Sequence, residues 1–316
     1  MKKIVVGVDI GGTNTVVGLV NAEGDILAET KFTTKEHPDF RDYITKLSAT
    51  IKNLNNGYQI VGIGVGAPNA NYNNGTIENA ANLPWRGILN VKEEVGQHFP
   101  NTPVIIANDA NAAAIGEMVY GNAKNMKEFI MVTLGTGLGA GFVANGKLIC
   151  GYDSFAGELG HIIVCRDGRQ CGCGRKGCLE TYVSASGIKR TVFELLASRL
   201  DDSELRNISF NDLEALMITE AALKGDPIAL EAFEISGKIL GQALADTVAI
   251  TSPETVFLFG GLAKAGELIF APTRKYLEEN LLNNYKGRIQ VLPSALHDKD
   301  TAIIGASALA WNDMIK

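Results

Sequence analysis

The feature that most limits what this chain can become is a hairpin pattern that occurs twice. Ile4-Val5-Val6-Gly7-Val8-Asp9 reads as a buried strand ending on a carboxylate, Gly11-Gly12-Thr13 turns the chain, and Val16 to Val20 reads as the return strand. The same order returns as strand Phe129 to Thr133, turn Leu134-Gly135-Thr136-Gly137 and strand Gly139 to Val143, with Asn21 and Asn145 closing the two copies. Internal similarity of this kind predicts an α/β chain with two domains of like topology, each continuing into alternating strands and helices. Two such turns facing one another would bracket a cleft.

The remaining pattern fits that plan. Phe40, Ile44, Leu47 and Ile51 predict a helix over 39–54, and Ile60 to Val65 a strand leading into Gly66-Ala67-Pro68-Asn69. Pro103 to Ala107 reads as a strand that ends at Asn108-Asp109, before an alanine-rich helix over 110–118. Helices are expected over 188–200, 212–223 and 227–250, the last begun by Pro227, and strand Thr255 to Phe259 runs into Gly260-Gly261. The small, apolar run Ala302 to Trp311 predicts a helix that packs closely, back onto the first domain. The expected division is a domain over 1–118, completed by a helix over 302–316, and a larger one over 119–301.

With 316 residues, 46% of them hydrophobic, the chain can bury the core of two domains. Its net charge of −6 and lack of a basic run argue against a nucleic-acid partner. Lys2-Lys3 begins like a signal peptide, but Asp9 interrupts the apolar run. No stretch approaches the ~20 apolar residues of a membrane span, so the expected location is cytoplasmic. An odd count of five cysteines, with a thiolate-rich loop, fits a reducing compartment.

A tight glycine turn can bind phosphate oxygens without lysine by aiming several backbone N–H groups inward. Both turns meet that requirement. Thr13, Thr15 and Thr136 could add hydroxyl donors, and Asp9 could hold magnesium directly or through water. Neither is a Walker loop, since no lysine follows the glycines. A dinucleotide-type match at Gly139-Ala-Gly141-Phe-Val-Ala144 falls within a hairpin strand and is discarded. Gly260 to Gly266 follows an apolar strand, where small residues let a flat base approach the backbone. The plainer readings are β-turns of good turn chemistry and simple strand-to-helix packing.

His161, Cys171, Cys173 and Cys178 crowd one glycine-punctuated loop flanked by Glu158 and Glu180. Four such ligands suit tetrahedral zinc; an uncomplexed reduced loop or a chance cluster are the alternatives. Cys150 and Cys165 read as small core residues.

Together these motifs resemble the ROK family of repressors, uncharacterised reading frames and sugar kinases, within the actin, hexokinase and heat-shock ATPase fold group, a duplicated ribonuclease H-like architecture. Asp9-Ile-Gly11-Gly12-Thr13-Asn14-Thr15 resembles the first phosphate loop, Leu134-Gly135-Thr136-Gly137-Leu-Gly-Ala-Gly141 the second, and Gly260-Gly261-Leu262 to Gly266 the adenosine motif. Glu158-Leu-Gly-His161 is similar to the sugar signature, and Cys171-Gly-Cys-Gly-Arg-Lys-Gly-Cys-Leu-Glu180 to the zinc loop of the bacterial glucokinase branch.

The resemblance implies ATP and Mg2+ use, sugar contacts from Asn108, Glu158, His161 and Glu180, Asp109 as catalytic base, Asn82 near the sugar, and a homodimer or higher oligomer. Glucose is the expected substrate, with N-acetylglucosamine, N-acetylmannosamine, mannose, fructose and allose as alternatives. On position alone Asp109 could instead be a helix N-cap. Asn69 stands where many relatives have glycine; asparagine tolerates positive φ, so the turn is expected to survive. A sugar-responsive repressor is disfavoured because the first phosphate-loop strand begins at Ile4, without an N-terminal reading head. An ATP-driven chaperone would lack the sugar signature.

Overall fold

The computed structural model describes residues 2–296 and 301–314. Two compact units emerge. Unit 1 takes the chain up to Met126, Lys147–Ala156 and the segment from Ala295 onward; unit 2 takes Lys127–Gly146 and Gly157–Ser294. The segment 147–156, which a division at 118/119 leaves with the second half, therefore belongs to unit 1. Of the expected helix 302–316, positions 315 and 316 lie outside the described residues, as do 297–300 of the expected second domain.

Unit 1 opens with β1 (Lys3–Ile10), β2 (Asn14–Val20) and β3 (Ile26–Thr33), followed by α1 (Phe40–Leu54) and β4 (Gln59–Gly66). A small antiparallel sheet of β5 (Ala70–Asn71), β6 (Thr76–Glu78) and β7 (Ile88–Leu89) precedes α2 (Val91–His98), β8 (Val104–Ala107) and α3 (Asp109–Tyr120). The main sheet runs β3-β2-β1-β4-β8, antiparallel through β1 and parallel beyond it. Alternation sorts its faces: Ile4, Val6, Val8 and Ile10 pack with Tyr43, Ile44, Leu47 and Ile51 of α1. Asp39 starts that helix by accepting the Arg41 and Asp42 amides at 2.8 and 3.1 Å. Asn69 has φ 51° and its Nδ2 donates to the Glu78 carbonyl at 3.1 Å, so the expected turn forms with asparagine in the left-handed region.

Unit 2 begins with β9 (Phe129–Leu134) and β10 (Leu138–Ala144), paired antiparallel from Val143↔Phe129 to Leu138↔Leu134. The chain then passes through β11 (Lys147–Leu148), in the segment assigned to unit 1, and after a long loop come α4 (Ala185–Ser198), α5 (Ala215–Leu223) and α6 (Pro227–Thr251). Then follow β12 (Thr255–Phe259), α7 (Glu267–Asn280) and β13 (Gln290–Pro293), giving the order β10-β9-β12-β13. α4 starts before the expected Ile188, because Ser184 accepts the Gly187 amide at 2.9 Å. α5 starts after the expected Asp212, because that residue and Ser209 close a turn instead, Oγ to Oδ2 at 2.5 Å. Pro227 sits in the first turn of α6, whose cap Asp226 accepts from Ile228 and Ala229.

The last helix, α8 (Thr301–Met314), lies on the second face of the unit 1 sheet. Glycine makes that approach possible: a Cβ on Gly64 would run into the Ala306 carbonyl, and one on Gly7 into the Ile303 carbonyl. Gly64→Ala is expected to lower stability by about 1–3 kcal/mol through this backbone collision. Gly96→Ala, in α2 with open space around it, is expected to add roughly 0.5–1 kcal/mol. Urea unfolding of both variants checks the pair; equal effects would show that α8 is not held by this approach.

Candidate active site

In unit 1 the expected residues gather at the carboxyl ends of the parallel strands. Asp9 pairs in register with Gly66, and Gly66 with Ala107, so Asp9 and the Asn108-Asp109 step share one sheet edge. This is the edge at which open α/β sheets bind ligands. The Gly11 amide closes the first turn on the Asn14 carbonyl at 3.0 Å, and the Thr13 carbonyl accepts from Thr34 at 2.8 Å. Gly12 lies against the backbone of Asn82, whose carbonyl occupies the place of a Cβ.

Two expectations change here. The Thr15 side chain does not face outward as a hydroxyl donor: it is fully buried, with Oγ1 2.9 Å from both Thr34 Oγ1 and Tyr43 OH. Strand alternation from the inward Val17 and Leu19 carries that signal, and Tyr43 is a supporting residue that the sequence reading missed. Burial pushes the Tyr43 phenol well above its usual range. The cap of α3 is Asn108, which accepts the Asn111 amide at 2.8 Å, whereas Asp109 is the first helical residue. Asn108 thus commits its oxygen to the helix and has its amide nitrogen to offer a ligand.

The Asp109 carboxylate makes no hydrogen bond to the described residues. It keeps contact with solvent, yet the protein around it desolvates the carboxyl and raises its pKa above the ordinary aspartate value. A shifted, unpartnered carboxylate at a ligand-binding sheet edge is a candidate reactive group.

In unit 2 the second turn leaves Gly135 and Thr136 exposed. The Gly135 amide donates to the Gly137 carbonyl at 3.0 Å, Ala185 donates to the Gly135 carbonyl at 2.9 Å, and the Ser186 hydroxyl to the Thr136 carbonyl at 2.8 Å. The Gly260-Gly261 turn lies alongside, since β12 pairs Phe259 with Thr133. Gly260 has φ 104°, and a Cβ there would come within 2.6 Å of the Leu134 carbonyl. Next to it, the Leu262 side chain is buried and its amide donates to the Leu134 carbonyl at 3.2 Å.

The loop between β11 and α4 carries the His/Cys group. Its ligand atoms all lie within 4.8 Å of one another. The Cys173 and Cys178 sulfurs are 3.6 Å apart, and the Cys171 sulfur is 3.7 Å from His161 Nδ1. A tetrahedral zinc with bonds of about 2.3 Å to sulfur and 2.0 Å to nitrogen sets ligand atoms roughly 3.5–3.8 Å apart, so the donor set fits that metal. Burial pushes the Cys171 thiol up to about 12, helped by its hydrogen bond to Glu180 Oε1 at 3.0 Å. Hydrogen bonding by the Arg175 backbone brings Cys173 down to about 6, and burial raises Cys178. His161 Nε2 lies 3.9 Å from Glu158 Oε2 and Nδ1 3.7 Å from Glu180 Oε1, so both acidic residues border the same ring. Cys165 is exposed, contrary to its expected place in a core.

Arg169, another residue that sequence reading missed, pins this loop. Its guanidinium donates to the Thr181 and Gly187 carbonyls at 2.7 and 3.0 Å and to the Glu194 carboxylate at 2.6 and 2.9 Å, and lies 4.4 Å from the Tyr182 ring centre. Thr181 adjoins Glu180, so the clamp fixes the backbone that aims this carboxylate.

Two α/β units, each with a glycine-turned hairpin, define a protein of the actin-like ATPase fold. The chain belongs to the ROK family, whose sequence profile matches residues 5–313. It is similar to a glucokinase of Streptomyces coelicolor, 33% identical over 313 residues that cover 97% of each chain. A solved ROK glucokinase from Streptomyces griseus, in complex with glucose and AMPPNP, is 33% identical, superposes with a TM-score of 0.78 and is covered over 99% of its chain. A xylose repressor of Caldicellulosiruptor bescii is 29% identical, with 98% of this chain and 79% of the repressor aligned.

Arg169→Ala is expected to lower stability by about 3 kcal/mol, because several polar groups lose a charged partner at once. Denaturant unfolding measures the loss. A change under about 0.5 kcal/mol would show that the clamp contributes nothing.

Proposed function

We propose that this protein is an ATP-dependent hexose kinase that phosphorylates the 6-hydroxyl of glucose. The observation that carries the reading is Asp109, its carboxylate raised in pKa and without a hydrogen-bond partner among the described residues, at the sheet edge that also carries Asp9 and the first glycine turn. Full-length similarity to glucokinases supports the choice of sugar.

In this reading Asn108, Asn82, Glu158, His161 and Glu180 bind sugar hydroxyls; a wrong epimer would leave such groups unpaired. The turns Gly11-Gly12-Thr13-Asn14 and Gly135-Thr136-Gly137 receive phosphates through backbone N–H groups, and Gly260-Gly261 lets the adenosine approach. Asp109 orients the 6-hydroxyl and takes its proton as that oxygen bonds to the γ-phosphorus. The bond from this phosphorus to the β-bridging oxygen breaks, leaving ADP. Asp9 would hold magnesium, which offsets the charge on the phosphates when bound. Cys171, Cys173, Cys178 and His161 would hold zinc, fixing the histidine ring through Nδ1 and presenting Nε2 toward Glu158.

The similarity to a xylose repressor favours a second reading, a sugar-responsive regulator. Coupled measurement of ADP release across a hexose panel separates the two, since a regulator turns over no ATP with any sugar. Among the described residues no helix is long and apolar enough to cross a membrane. A cytoplasmic homo-oligomer is part of the proposal.

Asp109→Asn is expected to cut kcat by about 1,000-fold or more while glucose still binds in calorimetry. A raised carboxyl pKa means that the native state holds its proton to higher pH than the unfolded chain. Stability contributed by protonation is therefore lost as pH rises from the ordinary value of 3.8 through the folded one. The variant should accordingly melt no lower than wild type at pH 7, and the acid limb of the wild-type rate profile should lie above 3.8. Near-normal turnover in Asp109→Asn would remove this residue from the chemistry.

For the cysteine loop, metal analysis should find about one zinc per chain. Cys171→Ser should lose it and melt roughly 5–10 °C lower. A metal-free protein of unchanged melting temperature would overturn the structural role.

A further inference from the structure

Gly137 ends the second turn without needing glycine's backbone freedom, because its φ is not positive. What it lacks is room. A Cβ at this position would lie 2.7 Å from Glu180 Oε2 and 3.8 Å from the Cδ of the same carboxylate, and among the described residues beyond its chain neighbours it would meet no other heavy atom within 4 Å. Gly135, two residues earlier, also has ordinary φ, and a Cβ there meets nothing within 4 Å. Of the two glycines of this turn, Gly137 is the one against which the carboxylate of Glu180 rests.

A second set of bonds ties the same two places together. Ser184 Oγ donates to the Glu180 carbonyl at 2.7 Å and lies 3.1 Å from Ser186 Oγ, which donates to the Thr136 carbonyl at 2.8 Å. The backbone of Glu180 and the backbone of the turn therefore hang on one pair of hydroxyls at the start of α4. On its other side, Glu180 Oε1 lies 3.0 Å from Cys171 Sγ. The carboxylate is held in a slot with the glycine turn as one wall and the His/Cys loop as the other.

We infer that Gly137 is a positioning residue for the sugar: its bare Cα seats the Glu180 carboxylate, and the Ser184–Ser186 hydroxyl pair keeps that seat in register. The turn that receives phosphate in the proposed function then also shapes acceptor recognition, and the inference rests on that function. The end of a flexible side chain yields more easily than a backbone. Gly137→Ala should therefore leave the fold intact and move the carboxylate, which loses a charge-assisted hydrogen bond to the sugar.

The experiment compares Gly137→Ala, Gly135→Ala, Ser186→Ala and the double variant Gly137→Ala with Glu180→Asp, by steady-state kinetics in ATP and glucose and by calorimetric glucose titration. Gly137→Ala should raise the glucose KM and Kd by about 10- to 100-fold while shifting the ATP KM by less than about 3-fold. Gly135→Ala should act on the ATP KM and leave the glucose KM at the wild-type value. Ser186→Ala, which removes no packing, should raise the glucose KM several-fold, and it decides the question should Gly137→Ala not fold. Shortening Glu180 to Asp makes room for the new methyl and should recover part of the glucose affinity that the single variant loses. Parallel rises in ATP KM for both glycine variants, with the glucose KM unmoved, would overturn the inference alone. A wild-type protein that binds and phosphorylates no hexose would overturn the proposed function and the inference together.

Discussion

In unit 2 most of the candidate site depends on how one short turn is held. Leu134-Gly135-Thr136-Gly137 makes one hydrogen bond within itself and is otherwise fixed by its neighbours: Leu262 donates to Leu134, Ala185 to Gly135, and Ser186 to Thr136. These bonds come from two separate places in the chain, the strand-to-helix turn after β12 and the first turn of α4. An exposed turn fixed by only one of them would fray, since a turn of this length lacks enough buried area to offset its own entropy. Fixed by both, the turn keeps its backbone geometry without having to be ordered by a ligand.

Asp109 in unit 1 and Glu180 in unit 2 are placed by opposite means. The Asp109 carboxylate gains no partner and is desolvated, so it carries a cost in the folded chain that favours its protonated form. Glu180 is flanked on both oxygens, by the Cys171 sulfur at 3.0 Å on one and the Gly137 face on the other. A group intended to accept a proton gains from lacking competitors, and a group intended to recognise hydroxyls gains from a fixed direction. That division agrees with the roles proposed for the two residues.

Much of this was legible in the sequence where the signal is local. The two hairpins, the strand Thr255–Phe259 and the start of α6 at Pro227 rest on alternation, turn residues and caps, which lie within a few positions of each other. Asn69 took the positive φ that its side chain tolerates. The cap of α3 shows the limit of such reading: Asn108 and Asp109 are both good caps, and only the geometry of the Asn111 amide chooses between them. Tyr43, Thr34 and Arg169 escaped notice because their roles depend on partners from other elements. Cys165 was misplaced for the related reason that residue type alone does not say which way a loop turns its side chains.

The loop from Gly157 to Ser184 illustrates how chemistry can be carried without regular structure. It contains only two short 3-10 turns, Leu159–His161 and Leu179–Thr181, and these hold His161 and Glu180. Its backbone is tied by the isolated bridges Ile163↔Cys178 and Gln170↔Lys176 and by turn bonds such as Cys171 N–H to the Arg175 carbonyl at 2.9 Å and Gly177 N–H to the Arg169 carbonyl at 2.8 Å. Two side-chain staples add to these: the Arg169 fork on Thr181, Gly187 and Glu194, and the four converging ligand atoms of the His/Cys group. Because one staple holds the backbone beside Glu180 and the other holds the ring of His161, neither substitutes for the other in fixing the angle between these two residues.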